Sequence, residues 1–190
     1  MSIARCFPRK AALLLGAVLL LLMLFASLTN KVVYAYPDFW VLSVTGYPQL
    51  QTNWCWAATD KSIMAYRGTN PAQCEIANKV LVRTTCCSSP SSCNQTVPTC
   101  DNGRAFSYWG FLYSCVYNPL SFDSIRNEIY SGNRPFYASR YGHAHTVAGY
   151  DYGPPQMIYR YDPWPGNGWS YQNYNDFLSG WARTIYLIRK

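Results

Sequence analysis

A glutamine that stands six positions before a cysteine is the feature of this chain with the clearest chemistry. The run from Gln49 to Ala58 places Cys55 at the expected start of a helix. Unpaired N–H groups and the positive end of the helix dipole at such a place favour the thiolate form of a cysteine. The side-chain NH2 of Gln49, one short loop upstream, could donate with the Cys55 N–H to an oxyanion. The two residues predict half of a nucleophilic site, whereas the alternative is a buried structural cysteine.

A nucleophile of this kind needs a base, and the chain contains two histidines, His143 and His145. Both belong to the run 142–150, in which small and apolar residues alternate in a pattern that predicts a β-strand. Residues two positions apart on a strand share a face, so either histidine could face Cys55 on geometry alone.

Three aspartates could orient the base through its second ring nitrogen, a role expected of a residue on the strand or turn after the histidines. Asp162, in the run 159–164, satisfies this condition. Asp151 lies just before a Gly-Pro-Pro sequence, where a turn-forming role suits it better. Asp176 stands in an expected surface loop and is the weakest of the three candidates.

In the chain order Gln49, Cys55, His143 and Asp162, these residues resemble the site of papain-like cysteine peptidases. The resemblance is closest to the compact bacterial branch, with the staphopains, the papain-type effector proteases and the double-glycine leader peptidases. In that family a glutamine stands six positions before the nucleophile, and a tryptophan, here Trp56, commonly follows the cysteine. The resemblance covers most of the chain beyond the apolar N-terminal segment.

The resemblance also selects among the open candidates. Papain-like enzymes carry His-Ala and, six positions after the histidine, Gly followed by Tyr or a similar residue; His143 has this spacing to Gly149, and His145 lacks it. They also carry Asn-x-Trp after the histidine strand, where the Trp covers the hydrogen bond between Asn and His. Asp162 and Trp164 have that spacing, with Asp in place of Asn. Papain's first disulfide is not expected, because no second cysteine stands three positions before the nucleophile.

The resemblance implies hydrolysis of peptide bonds through a thioester, with Cys55 as nucleophile, His143 as base and acid, and Asp162 orienting the imidazole. Gln49 then contributes to the oxyanion hole, and Trp164 covers the hydrogen bond between Asp162 and His143 and keeps water from it. No metal or other cofactor is expected, the substrate is a protein or peptide, and the enzyme is expected to be a monomer. Two alternatives stay open: an acyltransferase that crosslinks or ligates on the same fold, and a catalytically silent binding or toxin-like module.

The first 35 residues indicate where the protein works. Three basic residues precede an apolar, charge-free stretch from Ala11 to Leu28, and a Val-x-Ala pattern ends at Ala35. This arrangement predicts a secretory signal peptide over residues 1–35, followed by a peptidase-like domain over residues 36–190. An uncleaved membrane anchor is the alternative, because eighteen apolar residues reach the lower limit for a span. The domain is expected to be secreted or, with an anchor, to lie outside the cytoplasm.

The charge of the chain argues against a nucleic-acid partner. Removal of residues 1–35 takes away four basic residues and no acidic ones, so twelve basic residues remain against nine acidic ones. The net charge falls from +7 to +3, and the basic residues are scattered rather than clustered. The remaining chain has the length of a single domain with one proper core.

Six cysteines remain besides Cys55, an even number that predicts three disulfides in an exported chain. Four of them crowd into residues 86–100, where no helical or strand period is visible, so this segment is predicted to be a stapled surface loop. Adjacent cysteines are strained when bridged to each other and are expected to pair outward. Zinc is the alternative, and the lack of Cys-x-x-Cys spacings and the export signal oppose it. The six residues are Cys74, Cys86, Cys87, Cys93, Cys100 and Cys115.

The expected elements place helices first and antiparallel strands afterwards. This order predicts an α+β, papain-like fold with a helical lobe, a β-sheet lobe and the active site in the cleft between them. The helix near 122–131 has good boundary signals, with Ser121 before it and Gly132 after it. The predicted strands are 40–44, 135–141, 143–150, 156–162 and 182–189, and the predicted helices are 55–67, 72–83 and 122–131.

Overall fold

The computed structural model describes residues 36–189. The predicted signal peptide or membrane anchor, residues 1–35, lies outside the described residues. Residues Tyr36–Lys190 form one structural unit. Between residues 36 and 189 there is no helix with the length and apolar character needed to cross a bilayer.

Three helices make up the first half of this unit. The first is buried along most of its length, because the small side chains of Ala57 and Ala58 and the apolar side chain of Ile63 let other elements pack on several sides. It contacts both other helices and the central strand of the sheet. The three helices are α1 (Cys55–Tyr66), α2 (Gln73–Val80) and α3 (Thr99–Tyr108).

A seven-stranded antiparallel sheet makes up most of the second half. Its order is β2-β7-β3-β4-β5-β6, and β1 pairs with the far end of β4. The strands are β1 (Phe39–Val41), β2 (Leu112–Val116), β3 (Phe136–Arg140), β4 (His143–Asp151), β5 (Met157–Asp162), β6 (Gly168–Asn173) and β7 (Trp181–Arg189).

The two faces of the sheet support two clusters of buried residues. Successive residues of β3 alternate between them: Tyr137 packs on the helices α1–α3, whereas Phe136 and Ala138 belong to the second cluster. The second cluster also contains residues of two short helices, α4 (Phe122–Arg126) and α5 (Tyr174–Leu178). A π-helical turn over Asn127–Ser131 continues α4. The sheet is therefore covered on both sides, and the predicted α+β arrangement is confirmed.

Five elements were not expected from the sequence: α3, β2, β6, α5 and a short 3₁₀ helix over Pro90–Cys93. The sequence of α3 contains Gly103 and several polar residues, which have low helix propensity. Packing accounts for the glycine, because a Cβ at Gly103 would lie 2.2 Å from the ring of Tyr113 in β2. The expected surface loop around Asp176 is wrong. This residue lies in α5, whose start is capped by the side chain of Asn173.

Three disulfides hold the helical half together, and the predicted number is confirmed. They join Cys74 to Cys87, Cys86 to Cys93 and Cys100 to Cys115. The adjacent pair Cys86 and Cys87 bonds outward, as expected. The zinc alternative for these six cysteines is wrong, because all their sulfur atoms are paired and none is a free thiolate ligand.

The Cys100–Cys115 bridge connects α3 to β2 and closes a loop of 15 residues. Replacing both cysteines with alanine should lower the free energy of unfolding by about 3 kcal/mol, since the unfolded chain regains the entropy of that loop. Guanidinium unfolding of the two proteins without reductant would measure the difference. A loss under about 1 kcal/mol would mean that packing between α3 and β2 holds the pair without the bridge.

Candidate active site

Cys55 is the first residue of α1, and it is the free cysteine of residues 36–189. The first N–H groups of a helix have no partner within the helix, so the Cys55 N–H points into the space in front of α1. The residue is 9% exposed. Its thiol interacts with the ring of His143, whose pKa it raises.

His143 is the first residue of β4, and it lies between the thiol and a carboxylate. Its Nε2 lies 2.7 Å from Oδ1 of Asp162, at the end of the neighbouring strand β5. Because Nε2 is engaged there, Nδ1 is the ring nitrogen that remains for an interaction with Cys55. The side chain of His143 is 29% exposed, so the edge of the ring is accessible from solvent. The structure therefore brings the predicted residues Cys55, His143 and Asp162 into one series, in which His143 is hydrogen-bonded to Asp162 and interacts with the thiol.

The carboxylate of Asp162 has partners on both oxygens. Besides His143, Oδ1 accepts a hydrogen bond of 3.0 Å from the backbone N–H of Trp164, and Oδ2 accepts one of 3.0 Å from Asn167 Nδ2. Arg160 Nη1 lies 3.5 Å from Oδ2. Burial alone would raise the pKa of Asp162, but these hydrogen bonds and the charge of His143 lower it below its usual range. Asp162 is thus an anion at neutral pH.

The charge state of His143 follows from its two partners. Burial alone would lower the pKa of the ring, but the hydrogen bonds to Asp162 and Cys55 and their negative charges raise it to about 9. The imidazolium form therefore predominates at neutral pH. Such a protonated ring between an anion and a thiol is the arrangement needed for a thiolate–imidazolium pair.

His145 lies behind this series and stays neutral. Its ring is buried and meets the ring of His143 edge to face at 4.9 Å, with Phe177 on another side at 5.5 Å. Burial and the positive charges of Arg160 and His143 lower its pKa to about 3. Its Nε2 is 3.8 Å from Asp162 Oδ2, which is too long for a hydrogen bond. The two histidines share a face of β4, as expected, but only His143 makes the short bond to Asp162.

Gln49 lies on the loop before α1 and is buried. Its backbone N–H donates to the carbonyl of Pro163, which ties this loop to the end of β5. Its amide Nε2 donates to the carbonyls of Gln51 at 2.9 Å and Thr52 at 2.7 Å. The sequence-based expectation pointed this NH2 towards an oxyanion. In the structure both amide hydrogens are used within the loop, and the buried Oε1 has no partner.

The two tryptophans named with the site differ in their surroundings. Trp56 is buried in the core beneath the site, and its Nε1 donates to the carbonyl of Gln95. Trp164 is 47% exposed and forms one wall of a cavity of about 380 Å³ together with the loop 49–52. Its backbone, rather than its ring, is the part that makes a hydrogen bond to Asp162.

The other two candidate aspartates, Asp151 and Asp176, make their contacts elsewhere. Asp151 ends β4, eight residues after His143, and its Oδ1 accepts from the N–H of Gly153, a turn-forming bond of the kind expected. Asp176, in α5, contributes its backbone carbonyl to Arg140.

A metal ion is the other species that these side chains could hold. Ligand atoms of His143, His145 and Asp162 lie within 4.8 Å of one another. Two features oppose a cation there: both oxygens of Asp162 already accept hydrogen bonds, and the positively charged Arg160 lies beside one of them. The residues do not fit a resident metal.

Sequence reasoning missed Asn167 and Asp60. Asn167 stands in a Gly-rich turn five residues after Asp162, and a polar amide so close to the proposed carboxylate was the available signal. Asp60 is fully buried in α1 and accepts a hydrogen bond of 3.2 Å from Asn102. Burial raises the pKa of Asp60 well above its usual range. The hydrogen bond from Asn102 acts to lower this pKa, and the negative charge of Cys55 acts to raise it. No pattern marked Asp60, because one acid in an apolar helix gives no indication of its partner.

Solved structures share this fold over most of the chain. The peptidase domain of Streptococcus ComA, a bi-functional ABC transporter involved in a quorum sensing pathway, has a TM-score of 0.56 at 16% identity and covers 76% of this chain and 97% of its own. A double glycine motif protease from an AMS/PCAT transporter, solved in complex with the leader peptide, has a TM-score of 0.54 at 12% identity, with coverage of 77% and 93%. UfSP from C. elegans has a TM-score of 0.58 at 9% identity, covering 82% of this chain but 35% of that longer protein. These likenesses show the fold, and they confirm the predicted papain-like arrangement.

Sequence comparison agrees with the structural likeness. Among curated proteins, none matches the chain significantly. The sequence profile of the Peptidase_C39 like family matches residues 41–187, well over half of the chain, and this span includes Gln49, Cys55, His143 and Asp162. The family match and the shared fold together confirm the predicted resemblance to papain-like cysteine peptidases. The chain belongs to the Peptidase_C39 like family.

Proposed function

We propose that this chain is an exported cysteine peptidase that hydrolyses peptide bonds through a thioester intermediate. The observation that carries the proposal is the series from Cys55 through His143 to Asp162, in which His143 is hydrogen-bonded to Asp162 at 2.7 Å and interacts with the Cys55 thiol. The family of the chain and the fold that it shares with a bacterial peptidase domain support the same chemistry.

In the proposed reaction, the Cys55 thiolate attacks the scissile carbonyl carbon and the His143 imidazolium gives its proton to the leaving amine. Water then hydrolyses the thioester, with the neutral imidazole of His143 taking a proton from it. Asp162 orients the ring through Nε2 and stabilises its positive charge.

The oxyanion of each tetrahedral intermediate would lie at the start of α1, where the Cys55 N–H is available. Gln49 is the second proposed donor. To serve, its amide must share or release one of its hydrogen bonds to Gln51 and Thr52. A buried oxygen without a partner costs about 1–3 kcal/mol, so the unsatisfied Oε1 of Gln49 makes such a rearrangement easier.

The proposed substrate is a peptide that lies across the Cys55–His143 pair. On one side is the cavity formed by the loop 49–52 and Trp164. A second cavity, of about 630 Å³, is lined by the segment 96–101 and by Gly142, which precedes His143, and is proposed to take the rest of the peptide. The presence of a leader peptide in the complex of the double glycine motif protease supports a peptide substrate.

The proposed location is outside the cytoplasm, after cleavage of residues 1–35 as a signal peptide. Three disulfides support an oxidising compartment. All the residues of the site come from one chain, which supports a monomeric enzyme. A silent binding module would be favoured by a Cys55 tied up in a disulfide, but Cys55 is free.

The nucleophile and the base can be tested together with the epoxide inhibitor of papain-like enzymes. We expect one adduct on Cys55, located by peptide mass mapping of the non-reduced protein, because the other cysteines of residues 36–189 are bridged. Labelling should disappear in His143→Ala and persist in His145→Ala, since His143 makes the bonds that activate the thiol. Cys55→Ala should abolish hydrolysis of fluorescent casein with an unchanged circular dichroism spectrum. Full activity of Cys55→Ala would refute the proposal.

The protonation of His143 can be measured directly, because the chain has two histidines. In 13C-histidine NMR one ring should titrate near pH 9 and the other should stay neutral down to at least pH 5, as their raised and lowered pKa values require. Hydrolysis should fall as pH rises through about 9, because the imidazolium proton is then lost. Asp162→Asn removes the negative charge, so the pKa of His143 and the upper limit of activity should both move to lower pH. An unmoved titration would exclude Asp162 as the group that holds the ring protonated.

The role of Gln49 can be separated from that of the thiol. Gln49→Ala should lower kcat roughly a hundredfold or more if the amide donates to the oxyanion. The rate of epoxide labelling should change much less, because ring opening of an epoxide makes no tetrahedral carbonyl intermediate. Equal losses in both rates would instead mean that Gln49 only shapes its loop.

A further inference from the structure

A short segment of the disulfide-stapled region, residues 93–95, contacts the nucleophile loop, residues 49–54, which leads into Cys55. Backbone carbonyls of this segment accept hydrogen bonds from two indole rings: Trp54 Nε1 donates to Cys93 at 2.8 Å, and Trp56 Nε1 donates to Gln95 at 3.1 Å. These tryptophans stand on either side of Cys55, so the segment holds the residues before and after the nucleophile.

Asn94 makes the most direct contact with this loop. Its Oδ1 accepts from the backbone N–H of Asn53 at 2.9 Å, and its backbone carbonyl accepts from Asn53 Nδ2 at 3.1 Å. Its Nδ2 donates to Thr52 Oγ1 at 2.8 Å. One residue thus makes three hydrogen bonds to two consecutive residues of the loop.

The position of the loop that Asn94 contacts determines where both proposed oxyanion donors lie, the Gln49 amide and the Cys55 N–H. The carbonyl of Thr52 accepts from the amide of Gln49, so its position determines where that amide points. The Cys55 N–H belongs to the peptide group that joins Trp54 to Cys55, so its direction depends on how Asn53 and Trp54 are held. A shift of the loop would move both donors together while leaving His143 and Asp162, on the sheet, in place.

Two disulfides make the segment a firm support. Cys93 is bridged to Cys86, and the adjacent Cys87 is bridged to Cys74 in α2. Asn78 of α2 also accepts a hydrogen bond of 2.9 Å from the N–H of Cys86. The bonds of Asn94 therefore connect the nucleophile loop to a cross-linked part of the helical half.

We propose that Asn94 is a positioning residue for the oxyanion hole, acting through the loop Thr52–Asn53. The inference rests on the proposed function, because it assigns Asn94 to the same site. Asn94 contacts neither the substrate nor the reacting atoms; it fixes the donors that stabilise the charge on the carbonyl oxygen. Misplacing such donors by about 1 Å costs on the order of a hundredfold in rate.

Two reactions of the same thiol separate this role from general stability. Alkylation by iodoacetamide displaces iodide in one step and forms no oxyanion, so it reports the thiolate alone. Acylation by p-nitrophenyl acetate passes through a tetrahedral oxyanion, releases p-nitrophenolate and leaves an acetyl thioester on Cys55. A change in the oxyanion hole therefore lowers the second rate and leaves the first nearly unchanged.

The test measures both rates on the oxidised wild-type protein and on Asn94→Ala, with the site of modification located by mass mapping. We expect acylation of Asn94→Ala to fall by about ten- to a hundredfold, while alkylation stays within about twofold of the wild type. Asn78→Ala is the matched control, since it removes an asparagine side chain that bonds Cys86, at the other end of the Cys86–Cys93 bridge, and leaves the bonds of Asn94 to Thr52 and Asn53 intact. The ratio of the acylation rate to the alkylation rate in Asn78→Ala should equal that of the wild type.

Thr52→Val removes one of the three bonds and keeps the other two, so it serves if Asn94→Ala does not fold. It should lower acylation selectively but by less than Asn94→Ala. Equal losses of acylation and alkylation in these variants, or a similar change of ratio in Asn78→Ala, would overturn the positioning role while leaving the proposed function standing. A wild-type Cys55 that reacts with neither probe faster than a free thiol would overturn the proposed function, and this inference with it.

Discussion

The hydrogen bond of 2.7 Å between His143 Nε2 and Asp162 Oδ1 joins the ends of two neighbouring strands, and the rest of the site is arranged around it. Its partners meet because β4 and β5 pair with Thr146 opposite Tyr161. A shift of one residue in this register would turn Asp162 to the other face of the sheet, away from the histidines. The loop before α1 is tied to the same strand end: a Cβ at Gly46 would lie 2.3 Å from the ring of Tyr161, so only glycine allows this approach.

The predictable part of the molecule was the part with local signals. Strand alternation around His143 and the residue spacings of the papain-like family selected Cys55, His143 and Asp162, and the structure holds the last two 2.7 Å apart. The supports of the site gave no such signal. Asn94 contacts a loop about forty residues earlier in the chain, and an asparagine in a polar, cysteine-rich segment gives no local signal of so distant a partner. The helix α3 was missed for the same reason, since packing against β2 and a disulfide decide its structure rather than its own propensity.

The proposed thiol nucleophile belongs to a chain with three disulfides, and this presents a chemical conflict, because conditions that form disulfides also oxidise exposed thiolates. Disulfide pairing resolves part of this conflict: six of the seven cysteines in residues 36–189 bond with one another, which leaves Cys55 no cysteine partner within these residues. Burial resolves more, since only 9% of Cys55 is exposed. The bridge from Cys86 to Cys93 then has two effects at once. It removes two competing thiols, and it stiffens the segment against which the loop of the remaining thiol is held.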